Sequence, residues 1–350
     1  MEGSKSARAR KPEGRVTLTR VAEEAKVAVS TVSFVLNDAP LAKKLTPETR
    51  ERVWAAARKL GYRPNELARA MVKGRTRVIA FCLPFVAMEW VARTLDGFVM
   101  EASKGNFFVK TVPMHGDDWR EVFAQAMDAK PAAVVVHELF REQEEWIARE
   151  AAAHHVLCAG AGTTAIRKWD VSAAPDTADA ARQVVHHLAE LGHRRILHLG
   201  GNPDLASGVT RERDYRRAML EQGLKPDVVW AHFRLEDAER AVRERLREKN
   251  SPTAIYCAND PMAMVVLRTV RAIGLRVPDD VSVVGYSDLM MAHLADPALT
   301  SVNELLTEVG ISLGKCLLTK MQAANPAGSS GHVLVRPRLE VRSSTGPAPH

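Results

Sequence analysis

The stretch Val16–Asn37, VTLTRVAEEAKVAVSTVSFVLN, decides how the first part of this chain folds. Leu18, Val21, Ala22 and Ala25 recur at i, i+3, i+4 and i+7, one face of a helix, and Thr17 is a suitable N-cap just before them. After about four residues a second segment places Val32, Val35 and Leu36 on a buried stripe, with Val29, Ser30, Ser33 and Phe34 outward. Two such helices across a tight break fit a helix-turn-helix, whose second helix lies in the DNA major groove. A third helix follows with clear punctuation. Thr46 is its N-cap, Pro47 its first residue, Val53, Ala56, Ala57 and Leu60 its inner face, and Gly61 its end.

Charge points the same way. Residues 1–75 hold 17 Lys/Arg against 8 Asp/Glu, a net of +9, whereas the 350-residue chain totals +7. The basic excess therefore belongs to the N-terminal fifth, as expected of a segment that neutralises phosphates. Hydrophobic content of 46% and charged content of 26% are those of a soluble globular protein, long enough for two or three domains. The four cysteines, at 82, 158, 257 and 316, are widely spaced and fit neither a disulfide framework nor a zinc site. MEGSKSARARKPEGR carries no apolar leader core, and no run of 18 apolar residues occurs, so a cytoplasmic, nucleoid-associated location is expected.

From residue 77 the pattern becomes one of short apolar runs alternating with helical stretches. Strands are expected at Val78–Pro84, Phe107–Met114, Ala132–His137, Val156–Ala159, Arg195–Gly200, Val228–Phe233, Ala254–Ala258 and Val281–Tyr286. Helices are expected between them, for example Trp90–Ser103, Thr177–Leu191, Asp214–Gln222 and Pro261–Ile273. This is an α/β pattern of parallel sheets, and a composition break near Gly160–Pro175 favours two doubly wound lobes with a cleft between them.

These pieces resemble the lac repressor/galactose repressor family of bacterial transcription regulators. The resemblance rests on Val16–Asn37, LGYRPN at Leu60–Asn65, ELGHRRI at Glu190–Ile196, ANDPMA at Ala258–Ala263, VPDDVSVVGY at Val277–Tyr286 and DPALTSV at Asp296–Val302. It runs from about residue 16 to 342. It implies a homodimeric repressor on a near-palindromic operator, with a headpiece, a hinge helix and a periplasmic-binding-protein-like body. The expected layout is a basic tail (1–15), headpiece (16–62), hinge (63–76), body (77–342) and a disordered C-terminal tail (343–350). Within the body the chain crosses three times between lobe 1 (about 77–169 and 304–328) and lobe 2 (about 170–303 and 329–342), and a helix near Glu304–Gln322 returns to lobe 1.

The resemblance places Thr17, Val29, Ser30, Thr31, Ser33, Phe34, Asn37 and Asn65 against DNA, and Met71 as a wedge in the minor groove. Three residues depart from the family pattern. Lys26 stands at a turn position usually held by glycine, Ala28 replaces the usual serine cap, and Phe34 stands where many members carry a guanine-reading arginine. Phenylalanine cannot donate to guanine but can pack on a thymine methyl.

The same resemblance puts an effector between the lobes, against Trp90, Ser207, Arg211, Phe233, Asn259, Ser287 and Glu304. Ser287 replaces an aspartate usual in sugar-sensing members, Gly160 stands where a second is common, and the loop FVAMEWVA after Pro84 lacks the usual polar and aromatic pattern. With one arginine and few carboxylates, a sugar acid, another carboxylate or a phosphorylated metabolite is favoured over a simple neutral sugar. Control by a protein partner without any small molecule is the reading left beside it. No cofactor, metal site or catalytic group is expected: His154-His155 and His186-His187 are neighbours that point apart on a helix. Gly160-Ala161-Gly162-Thr163-Thr164-Ala165 matches a dinucleotide fingerprint, but no helix opens after it.

Overall fold

The computed structural model describes residues 16–37, 39–62, 76–162, 169–322 and 331–349. The chain divides into two compact units, residues 1–76 and 77–350.

In the first unit, α1 (Leu18–Ala25) starts at Thr17, whose side chain accepts from the Arg20 amide, and α2 (Val29–Leu36) follows after three residues. A 3₁₀ turn (Pro40–Lys44) leads to α3 (Pro47–Lys59), capped by the Thr46 side chain on the Thr49 amide. Val21, Ala22, Ala25, Val32, Val35, Leu36, Val53, Ala56 and Ala57 form the small core, so both expected stripes face inward. Lys26 closes α1 in the left-handed region (φ 53°, ψ 48°), and the Val27 amide reaches back to the Ala22 carbonyl. That is the geometry glycine adopts at least cost. Ala28, the N-cap of α2, offers no side-chain acceptor. Ala28→Ser is expected to stabilise the headpiece by about 1 kcal/mol, and Lys26→Gly by roughly 0.5–1 kcal/mol. Hydrogen-exchange protection of the Val32 and Val35 amides in the full chain would rise accordingly.

The second unit holds two six-stranded sheets. The first contains β1 (Val78–Leu83), β2 (Phe108–Pro113), β3 (Ala133–His137), β4 (Leu157–Ala161), β5 (Val171–Pro175) and β11 (Gly331–Val335), in the order β11-β5-β4-β3-β1-β2, all parallel. The second contains β6 (Ile196–Gly200), β7 (Asp227–Trp230), β8 (Ala254–Cys257), β9 (Ser282–Tyr286), β10 (Thr300–Asn303) and β12 (Arg338–Glu340), in the order β12-β10-β9-β8-β6-β7. There only β12, on the edge, runs antiparallel. Helices cover both faces. In lobe 1 these are α4 (Glu89–Lys104), α5 (Trp119–Asp128), α6 (Arg141–Ala153) and α12 (Leu306–Gln322). In lobe 2 they are α7 (Thr177–Glu190), α8 (Ala206–Glu221), α9 (Leu235–Arg245), α10 (Asp260–Ala272) and the short α11 (Met290–Leu294).

The strands alternate between the two sheets so that the chain passes from lobe to lobe three times, and α12 packs on lobe 1. Two boundaries need correction. The strand at 171–175 pairs with β4, so lobe 1 ends after Pro175 and not at 169. The strand at 331–335 pairs with β5, so only the segment beyond it belongs to lobe 2. Nor is 343–349 a disordered tail. Ser344 is fully buried, donating to the Val283 carbonyl (2.6 Å) and accepting from the Thr300 amide (2.8 Å), while the Ala348 amide donates to the Leu191 carbonyl (2.8 Å). These few hydroxyls and amides satisfy strand-end groups that would otherwise be open, which outweighs the Pro-rich composition.

The first turns of α4 carry Glu89, Trp90 and Arg93. A Cβ at Gly97 would lie 2.0 Å from the Thr307 carbonyl oxygen, and one at Gly310 would lie 2.0 Å from that of Thr94. The two glycines let α4 and α12 touch backbone to backbone, which fixes where α4 delivers those side chains.

Candidate functional site

On α2, Val29 and Ser30 are exposed, while Thr31, Ser33, Phe34 and Asn37 are half-buried on the side away from the core. The Asn37 side-chain amide donates to Ser33 Oγ (3.2 Å), tying the last turn. Thr17 is exposed at the start of α1. Asn65 and Met71 lie outside the described residues.

In the body, a cavity of about 900 Å³ opens at the carboxyl ends of both sheets, the place where open α/β sheets bind ligands. All seven positions expected from the sequence line it: Trp90, Ser207, Arg211, Phe233, Asn259, Ser287 and Glu304. Its polar floor comes from lobe 2 and from Glu304 on the crossover that follows β10. The Arg211 guanidinium donates to the Ala258 carbonyl (2.9 Å) and to Glu304 Oε1 (3.2 Å), and sits 4.0 Å over the Tyr286 ring. Ser287 Oγ donates to Glu304 Oε2 (2.6 Å). Asn259 caps α10 by accepting from the Met262 amide (2.9 Å). Burial alone would depress Arg211, but the facing Glu304 carboxylate overcomes it and keeps the guanidinium charged.

This pairing changes the charge argument. Arg211 is the only lysine or arginine among the lining residues, and Glu304 already neutralises it. Two further wall carboxylates each have an arginine of their own: Glu89 with Arg93 and Glu142 with Arg120, both at 2.6 Å. A carboxylate or phosphate would find no unmatched cation on the wall, so the geometry does not support the expected preference for an acidic ligand.

The lobes touch on either side of the cavity. Arg93 donates to the Asp288 carbonyl (3.0 Å), and the Met290 amide donates to Glu89 (3.1 Å). Phe140 forms an isolated antiparallel bridge with Leu205. The gripped loop is the one that carries Ser287, and both Ser287 (φ 101°) and Asp288 (φ 48°) are left-handed there. Hydrogen bonds from the Asp288 amide to Ser301 Oγ and from the Leu289 amide to Asp260 hold it so.

Sequence reasoning missed the lobe 1 wall, including Met114, His115, Trp119, Glu138 and Phe140. Most follow the ends of β2 and β3, so extending the strand-end rule to those two strands would have found them.

Beneath Trp90 lies His137, its ring centroid 5.1 Å away, with no hydrogen-bond partner for either ring nitrogen among the described residues. Burial pushes its imidazole from the ordinary 6.5 down to about 4. Between those values the unfolded chain binds a proton that the folded one refuses. Stability is therefore whole above pH 6.5 and falls as pH drops towards 4, by about 3 kcal/mol from this residue. Thermal melts of His137→Leu are expected to match the native chain to within about 1 kcal/mol at pH 7 and to lose part of the acid-side decline.

Among the described residues no group of His, Cys, Asp or Glu is placed to hold a metal, and no helix is long and apolar enough to cross a membrane.

A helix-turn-helix unit joined in sequence to a two-lobed body with a cleft cavity defines a DNA-binding regulator. Residues 17–65 match the family profile of bacterial regulatory proteins, lacI family, and residues 185–345 that of a periplasmic binding protein-like domain. The HTH-type transcriptional regulator CelR of Thermobifida fusca is 31% identical over 318 residues, covering 88% of this chain and 92% of that protein. Catabolite control protein A of Priestia megaterium is 27% identical, covering 94% and 99%. Among solved structures, a CelR–cellobiose complex is similar with a TM-score of 0.70 and 29% identity, covering 94% of this chain and all of that one. A lac repressor dimer bound to operator and the anti-inducer ONPF gives 0.78 and 26%, covering 95% and 99%. The chain belongs to the lacI family of bacterial regulatory proteins; it is a DNA-binding transcriptional regulator and not an enzyme.

Proposed function

We propose that the chain is a repressor acting as a homodimer on a near-palindromic operator, and that a neutral sugar held between the lobes sets its operator affinity. The observation that carries the sugar is the Arg211–Glu304–Ser287 network: a charge-balanced set of fixed donors and acceptors in a cavity flanked by Trp90 and Phe233. Hydroxyl groups exchange hydrogen bonds with such a network without adding charge, and aromatic rings cover the apolar faces of a sugar ring. The cellobiose in the CelR structure is in keeping with this class of ligand.

On DNA, Val29 and Ser30 meet base edges, and Thr31, Ser33 and Asn37 serve bases or phosphates. Thr17 and Asn65 add further DNA contacts, and Met71 is the wedge in the minor groove. A sugar that binds one arrangement of the lobes better than another shifts operator affinity by that difference. The test selects an operator from random duplexes with the purified full chain. Operator binding is then followed by fluorescence anisotropy against neutral sugars, sugar acids and sugar phosphates. A saturable response confined to neutral sugars supports the reading. A response confined to acids or phosphates, or none at all with an intact protein, overturns it.

A further inference from the structure

The two walls of the cavity are chemically unlike. Lobe 2 and the crossover residue Glu304 supply the charge-balanced network just described. Lobe 1 supplies an apolar patch, drawn from the loop after β1, the first residue of α5 and the residue before α6. Phe85, Met88 and Phe140 are each large, apolar and 44–49% exposed, and they line the cavity together with Trp119. Exposed apolar side chains gathered around a concave site mark a surface awaiting an apolar partner.

This wall is built, not incidental. The Phe85 ring stacks on His115 (5.2 Å, 21°), and His115 Nδ1 hydrogen-bonds the Pro84 carbonyl (3.0 Å). Buried Gln143 joins the two loops of the wall, donating to the Met114 carbonyl (2.7 Å) and accepting from the Phe140 amide (3.2 Å). Trp119 is wedged edge-on against Trp146 (5.2 Å, 88°), with the Arg120 guanidinium 4.2 Å over its ring. Phe140 is anchored across the cleft by its bridge to Leu205. At about 900 Å³ the cavity lies near the top of the range for small-molecule sites, roughly 300–1,000 Å³.

Resting on the sugar reading above, we infer that the ligand is a glycoside in two parts: a neutral sugar ring on the Arg211–Glu304–Ser287 floor and an apolar, aromatic aglycone against Phe85, Met88, Trp119 and Phe140. A second sugar ring would bring its hydroxyls against the carbon of Phe85, Met88, Trp119 and Phe140, while Glu89, Glu142, Gln143 and His115 on the same wall are already engaged by Arg93, Arg120 and the Met114 and Pro84 carbonyls. An aryl group buries that carbon and needs no hydrogen bond.

The experiment is isothermal titration of the purified full chain with matched methyl and phenyl glycosides of the neutral hexoses and xylose, in both anomers, and with cellobiose. For the sugar that binds, the phenyl glycoside is expected to bind roughly 10- to 100-fold tighter than the methyl one. In Phe85→Ser and Phe140→Ser, both at exposed side chains, the gap between methyl and phenyl forms should shrink to less than about threefold. Equal affinities for methyl and phenyl forms overturn the aglycone and leave the sugar reading standing. So does cellobiose binding tighter than phenyl glucoside, or a gap that survives both substitutions. If neither the glycosides nor cellobiose bind, the sugar reading fails and the inference falls with it.

Discussion

Arg211→Ala is expected to remove sugar binding and to lower the stability of the body by about 3–5 kcal/mol, roughly 6–15 °C in unfolding midpoint. The reason is the depth of the pair. The side chains of Arg211 and Glu304 are 7% and 3% exposed, so neither charge has water to fall back on. Deleting the guanidinium strands the carboxylate, frees the Ala258 carbonyl and leaves the Tyr286 ring without its cation. Stability and binding then separate in a second variant. Arg211→Met combined with Glu304→Met removes both charges in similar volume, and apolar replacement of a whole buried pair is often neutral or stabilising. The double variant should therefore recover most of the lost midpoint while remaining blind to sugar. Thermal unfolding and titration calorimetry on the two variants check this. A double variant that binds sugar normally would mean that the ligand does not use this floor.

The same residues show where sequence reading stops. Arg211 and Glu304 are both legible as cavity-lining residues, yet the reading of an unpaired arginine is not supported by the geometry, because nothing in a sequence says that two residues 93 positions apart form one ion pair. Helix α8 was expected from Asp214 but begins at Ala206, since its inward face there is Ser207, Gly208 and Arg211 and carries no apolar period. Local pattern gives way where a helix faces a ligand. The strands at 171–175, 300–303, 331–335 and 338–340 were invisible for another reason. They are three to five residues long and lie where the chain passes between lobes, and β11 and β12 are edge strands without a fully buried residue. The headpiece, by contrast, was almost fully legible. Its order is local, written in caps at Thr17 and Thr46 and in stripes of three or four apolar residues, and even the strained Lys26 was visible as a missing glycine.

Phe34→Arg is expected to change what the headpiece reads. Phe34 lies on the outward side of α2, one turn beyond exposed Ser30, while Val32, Val35 and Leu36 hold the helix to the core. In the native chain an aromatic ring at this position has no donor for guanine O6 or N7, and its apolar edge suits a thymine methyl. Binding-site selection with the native protein should therefore return an A·T pair at the position facing Phe34 in each half-site. Arginine restores the two-pronged donor, so the variant should select guanine there, with a swing of about 1–3 kcal/mol, or roughly 5- to 150-fold in relative affinity. The rest of the half-site, which the proposed function assigns to other side chains of α2, should be unchanged, because the Ser33–Asn37 hydrogen bond and the inner stripe are untouched by the substitution. Competition binding with paired operators differing at that one base pair measures the swing directly. Guanine selected by the native chain, or the same preference in both proteins, would place Phe34 away from the bases and return the reading of this position to other side chains of α2.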